Sequence, residues 1–174
     1  MTTDSLASSY LRDVARTVRN QKTLADRAIA QVSDEELHAL LDDEANSIAV
    51  IVKHLTGNLR SRFTDFLTTD GEKPTRDRGA EFDALSRATR AELLQSWEAS
   101  WAIALAAIEA LAPDDLERTI YIRAEPLLVV EALNRFAAHT AYHAGQIVLL
   151  AKHFRGATWA SLSIPKGTSR EPRA

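Results

Sequence analysis

Apolar residues recur every three or four positions along four long stretches of the chain, the spacing of helices that bury one face. In the first stretch Leu11, Val14, Val18, Gln21, Ala25, Ala28 and Val32 form a stripe broken only at Gln21. Ser33 followed by Glu36 has capping-box spacing and predicts a short acidic helix. The second stretch covers residues 46–67, with Ile48, Val52, Leu55, Leu59, Phe63 and Phe66 on its inner face. Asp70-Gly-Glu-Lys-Pro74 breaks it, because Gly and Pro both punctuate helices, and a polar loop is expected to residue 83. The third stretch covers residues 86–111, with Leu94, Trp97, Trp101, Leu105, Ile108 and Leu111 along it, and Ala112-Pro113 closes it. Thr119-Ile-Tyr-Ile122 is β-branched and aromatic, which suits a short strand or an extended crossover. Pro126 is expected at the first position of a fourth helix that runs to about Phe154 and stops at Gly156. Residues 157–174 show no helical period and read as an irregular tail.

Four amphipathic helices predict an all-α protein, a four-helix bundle with a short extended segment before the last helix. The two longer connections, residues 68–85 and 112–125, leave room for a crossover order. A chain of 174 residues with 45% apolar and 26% charged residues suits one soluble domain with its own core. It has no cysteine, which excludes disulfides, thiolate metal sites and a cysteine nucleophile. Any thiol chemistry therefore needs an external thiol. The formal net charge of −3 argues against a dedicated nucleic-acid binder. The longest apolar run, residues 101–108, is too short to cross a bilayer, so no membrane partner is expected. Met-Thr-Thr-Asp-Ser at the N-terminus has neither a basic nor an apolar leader region, and a cytoplasmic location is the expectation.

The candidate chemistry lies in the histidines. His139 and His143 stand four apart, so their rings project from one helix face on successive turns, about 6 Å apart along the axis. His143 shares the apolar repeat of Val129, Leu133, Phe136, Ile147, Leu150 and Phe154, and His139 flanks it. Imidazoles at core depth need partners, and a shared cation or hydrogen bonds to each ring both satisfy them. His54, midway along the second helix at the edge of its apolar arc, can supply a third nitrogen. Three neutral ligands leave a coordination position open, the pattern of a catalytic zinc-type site. Asn58, one turn after His54, and Gln146, one turn after His143 by the helical repeat, are candidates to orient a ligand ring or hold a water. His38, among Glu35, Glu36, Asp42 and Asp43, reads as solvated surface. His153 sits beside Lys152 and Arg155, where cations suit a helix C-terminus. Trp97 and Trp101 are candidate pocket walls, although aromatic residues at helical spacing are more often core. No Asp or Glu stands within a turn of the three histidines on the inner face, so no general base is evident.

His54 together with His139-Thr-Ala-Tyr-His143-Ala-Gly-Gln146-Ile-Val resembles the DinB-like superfamily, the YfiT-like metalloenzymes. Asn46-Ser-Ile-Ala, Lys53-His54-Leu-Thr-Gly-Asn58, Asp70-Gly-Glu-Lys-Pro74 and Ser161-Leu-Ser-Ile-Pro-Lys-Gly-Thr-Ser169 are similar to one of its uncharacterised subfamilies, a domain of unknown function. The resembling segments spread over nearly the whole chain, so the resemblance implies a single domain over residues 1–174. It implies an up-down-down-up four-helix bundle and one divalent metal ion, zinc or nickel, on His54, His139 and His143. It also implies a homodimer and, as in some relatives, a transferase that uses a low-molecular-weight thiol with a small-molecule substrate. The alternative is a non-catalytic, metal-binding dimeric stress-response protein. Pro165-Lys-Gly-Thr168 is no phosphate loop, since its Lys and Gly are reversed and the leading glycine is missing.

Overall fold

The computed structural model describes residues 5–83 and 88–163. Six helices and one two-stranded sheet follow in the order α1 (Leu6–Ile29), α2 (Asp34–His38), α3 (Ile48–Phe63), α4 (Arg78–Glu81), α5 (Arg90–Glu109), β1 (Thr119–Ile122), β2 (Glu125–Leu128) and α6 (Val129–Arg155). Local chemistry sets the helix starts. Ser5, Ser47 and Asp77 each accept a backbone N–H from the first turn of α1, α3 and α4. Ser33 with Glu36, and Thr89 with Glu92, close reciprocal capping boxes on α2 and α5. The Ser33–Glu36 box is the one the sequence predicts.

The four long helices share one core. The expected stripes of α1 and α3 are buried, as are Trp97, Trp101 and Ile108 of α5 and Leu133, Phe136 and Ile147 of α6. On α5 the buried leucine is Leu93, and Leu94 is only partly covered. Each large side chain so covered contributes about 1.5–3 kcal/mol. Gln21, the one polar member of the first stripe, accepts a hydrogen bond from Thr140 on α6, so the break in the pattern is a satisfied polar contact. Polar contacts also register the helices. Tyr10 of α1 donates to Asn134 of α6 at 2.7 Å. Trp97 of α5 donates to Asp26 of α1 at 2.7 Å. Arg90 at the start of α5 donates to the Ile29 carbonyl at the end of α1. Phe63 of α3 meets Phe136 of α6 with ring centroids 4.6 Å apart.

Several sequence expectations are corrected. The protein is mainly helical but not all-α, because residues 119–128 form an antiparallel hairpin in which Tyr121 pairs with Pro126. Pro126 is therefore a strand residue, not the first residue of the last helix, which begins at Val129. Proline lacks only the N–H, and a short two-stranded ribbon has edges where none is needed. Arg123 and Ala124 turn the hairpin with φ of 58° and 60°, the left-handed pair of a type I′ two-residue turn. Asp70 holds this turn by accepting the Arg123 N–H at 2.9 Å and the Ala124 N–H at 2.7 Å. Burial of its carboxylate is slight; hydrogen bonds from the Glu72 and Ala124 backbone hold its pKa below the usual range. The polar loop expected to residue 83 contains the one-turn helix α4. Residues 159–162 are not free tail: Trp159 and Leu162 pack against the core, and the Leu162 carbonyl accepts from Arg27 at 2.9 Å. Most of the Ser161–Ser169 segment, the Pro165–Thr168 sequence and the basic residues after 163 fall outside the described residues, as does the expected start of the third helix at Ser86. No described helix is long and apolar enough to cross a membrane.

Candidate metal centre

His54 projects from the middle of α3, and His139 and His143 from the middle of α6. The structure brings all three together. One ring nitrogen from each lies within 4.8 Å of the other two. His54 Nε2 and His139 Nε2 are 3.2 Å apart. Tetrahedral ligation at about 2.0–2.1 Å per nitrogen sets neighbouring donors about 3.4 Å apart. The three side chains therefore fit a shared cation with small adjustments. His54 and His143 are buried, and His139 is half-buried.

The far sides of two rings are already spoken for. His54 Nδ1 lies 3.0 Å from Glu81 Oε2, a carboxylate that only accepts, so Nδ1 carries a proton and Nε2 is the nitrogen turned toward the other two rings. His143 Nδ1 lies 2.7 Å from Gln146 Oε1 and donates to it, which leaves Nε2 unprotonated. That His143 Nε2 is buried and has no hydrogen-bond partner. A lone pair stranded in the core costs free energy unless something electropositive meets it. Burial, with the neighbouring histidines adding repulsion, pushes the His139 pKa down to about 3. Burial likewise pushes His143 down to about 4, against the hydrogen bond to Gln146. Both rings are neutral at pH 7, the form that ligates metals.

Glu81 is the residue that sequence reasoning missed. It arrives from α4, 27 residues after His54, and is itself buried. Its carboxylate forms a two-pronged pair with Arg76, from Nε at 2.7 Å and from Nη2 at 2.9 Å. Burial raises the Glu81 pKa, but the Arg76 and His54 hydrogen bonds outweigh it and hold the carboxyl ionised. Glu81 sits behind His54, on the Nδ1 side, so it orients the ring and does not face the converging nitrogens. Gly57 makes room for it. A Cβ at Gly57 would land on Glu81 Oε1 and 2.7 Å from its Cδ. A glycine in mid-helix costs about 1 kcal/mol against alanine, and here the close approach of the carboxylate explains it. The signal available in the sequence was that glycine, within Lys53-His54-Leu-Thr-Gly-Asn58.

A cavity of about 450 Å³ opens beside His54 and His139. Asn58 lines it, as its spacing from His54 suggests; Gln146 instead sits behind His143. Phe63, Phe66, Phe136 and Ile122 form apolar wall. Trp97 and Trp101 are not among the lining residues; they are core, with Trp101 packed behind Phe136 at 6.1 Å between centroids. His38 is not simply solvated: it is half-buried with Nε2 3.1 Å from the Ala88 carbonyl. His153 is exposed on the last turn of α6, as expected.

A search of curated proteins found no match to this chain. Residues 5–168, almost the whole sequence, match the profile of a family described as a protein of unknown function, DUF1572, and the chain belongs to that family.

Proposed function

We propose that the chain is a metal-dependent enzyme whose His54, His139 and His143 hold one divalent cation, zinc or nickel, with the adjoining cavity as the substrate pocket. The observation that carries this reading is the buried, partnerless Nε2 of His143 beside two further imidazole nitrogens, with two of the three rings locked from behind. When bound, the cation would supply Lewis acidity that lowers the pKa of a coordinated thiol, the chemistry of a thiol-dependent transferase. The protein does the rest. Glu81 and Gln146 fix tautomer and ring direction, as partners of metal-ligating histidines do. Phe63, Phe66 and Phe136 keep water off one side of the pocket. Asn58 offers an amide to a bound molecule.

The bundle is read as DinB-like, up-down-down-up. Tyr10 against Asn134 and Gln21 against Thr140 run α1 and α6 in the same direction. Arg90 against Ile29 and Asp26 against Trp97 oppose α1 and α5. His54 against His139 and Phe63 against Phe136 oppose α3 and α6.

The test compares metal-loaded and chelator-stripped protein across a panel of low-molecular-weight thiols and electrophiles. A rate that requires both metal and thiol is the expected result. Identical rates with and without metal for every pair would leave a metal-binding protein without catalysis. Gly57→Ala gives a second check. The added methyl displaces Glu81, so metal affinity is expected to fall about 10–100-fold with helix content kept. Competition titration against a chromogenic chelator reads it, and unchanged affinity would show that Glu81 does not position His54.

A further inference from the structure

The chain is acidic overall, with a formal net charge of −3. The cavity beside the histidines is the opposite. Arg62, Arg76, Arg78, Arg123 and Arg135 line it, and among the described residues no acidic one does. Two carboxylates stand behind this wall. Glu72 pairs with Arg62 at 3.1 Å and Arg123 at 3.0 Å, and Glu81 pairs with Arg76. Five guanidinium groups against two carboxylates leave an excess of three positive charges around one cavity. Two of the three sit on Arg78 and Arg135, and the third is shared by Arg62 and Arg123, which divide Glu72 between them. Arg78 and Arg135 are both exposed, and neither has a carboxylate partner among the described residues; the Arg78 Cζ lies 5.9 Å from the centre of the Phe82 ring.

The arrangement is built, not scattered. Glu72 spaces the paired arginines, and the same loop carries Asp70, which clamps the hairpin turn that presents Arg123. Arg135 lies one helical turn before His139, and Arg62 two turns after His54, so the charge continues each histidine's row along its own helix. Phe63, Phe66, Phe136 and Ile122 meet the same space. Guanidinium forks match carboxylate and phosphate oxygens, and the cavity volume is that of a small-ligand site.

We propose that the pocket takes a small organic anion, a carboxylate or a phosphate ester, whose charged group is held by Arg78 and Arg135 and whose apolar part lies on the phenylalanine wall. This deepens the reading of the cavity as a substrate pocket and rests on it. The probes are phenylacetate, phenyl phosphate and the uncharged phenylacetamide, titrated calorimetrically into stripped and zinc-loaded protein. In stripped protein at least one anion is expected to bind about tenfold or more tightly than the amide, and to weaken as salt rises. The double variant Arg78→Gln, Arg135→Gln is expected to lose that preference. Arg16→Gln, on the exposed face of α1, is expected to keep it.

Equal affinity for anions and amide in stripped protein, or no binding by either anion, overturns the proposal. So does an anion preference that survives the double variant in stripped protein, which would assign it to Arg62, Arg76 and Arg123 and leave the metal reading standing. An anion preference in a protein that takes up neither zinc nor nickel would support the arginine pocket and overturn the metal reading. The two anions separate a carboxylate site from a phosphate site.

Discussion

His139→Ala and His143→Ala are each expected to purify without stoichiometric metal. Two of the three nitrogens come from successive turns of α6, and removing either leaves a two-ligand set that exchanges readily. The loss also shows in stability. A ligand that binds only the folded state adds about 2.7 kcal/mol at a hundredfold excess over its dissociation constant. For a chain of this size that amounts to about 5–10 °C in Tm. Stripping the wild type should therefore lower its Tm by this amount, whereas the two variants should melt at the same temperature with and without chelator. This comparison separates loss of metal from the packing change caused by removing a ring. His153→Ala, at the exposed end of α6, should retain wild-type metal content. Elemental analysis that finds one metal per chain in His139→Ala or His143→Ala would refute the three-histidine assignment.

Glu81→Ala is expected to be the most destabilising single change at the site even in the absence of metal. The Arg76 side chain is 4% exposed and Glu81 8%. Removing the carboxylate strands the guanidinium, whose remaining acid partner, Glu72, stands 3.7 Å away, and leaves His54 Nδ1 without an acceptor. Breaking a buried pair from one side costs about 3–5 kcal/mol, a large share of the roughly 5–15 kcal/mol that holds a domain folded. Glu81→Gln keeps the shape and one acceptor oxygen, so it should lose less. The double variant Arg76→Ala, Glu81→Ala should lose less than the sum of the single changes, since it leaves no unpaired charge. Urea unfolding in chelator of these variants, Arg76→Ala and the wild type measures the losses. A Glu81→Ala loss below about 1 kcal/mol would mean that the pair is solvated rather than buried.

The two predictions differ in how visible their residues are in the chain. The histidines are legible because helical period is local: His139 and His143 share a face through their spacing alone, and the apolar repeat around His143 places that face at core depth. His54 is legible by its position on a second amphipathic stretch. Glu81 is not. It lies in a segment without period, and its approach to His54 depends on how the 14 residues between α3 and α4 fold back across Gly57. The hairpin is half legible. Thr119-Ile-Tyr-Ile122 reads as extended, but its partner contains Pro126, and the Arg123-Ala124 turn lacks the glycine or asparagine that usually marks such a turn. Asp70 supplies from 53 residues away what the turn residues do not.

Repeating patterns of three and four, cap residues and breakers sufficed for the long helices, their inward faces and the three rings on them, because each depends on neighbours within a turn or two. The carboxylate behind His54, the lone pair stranded on His143 and the positive lining of an acidic chain's cavity emerged only from packing. Each is a relation between side chains far apart in the chain, and no local pattern encodes the distance between them.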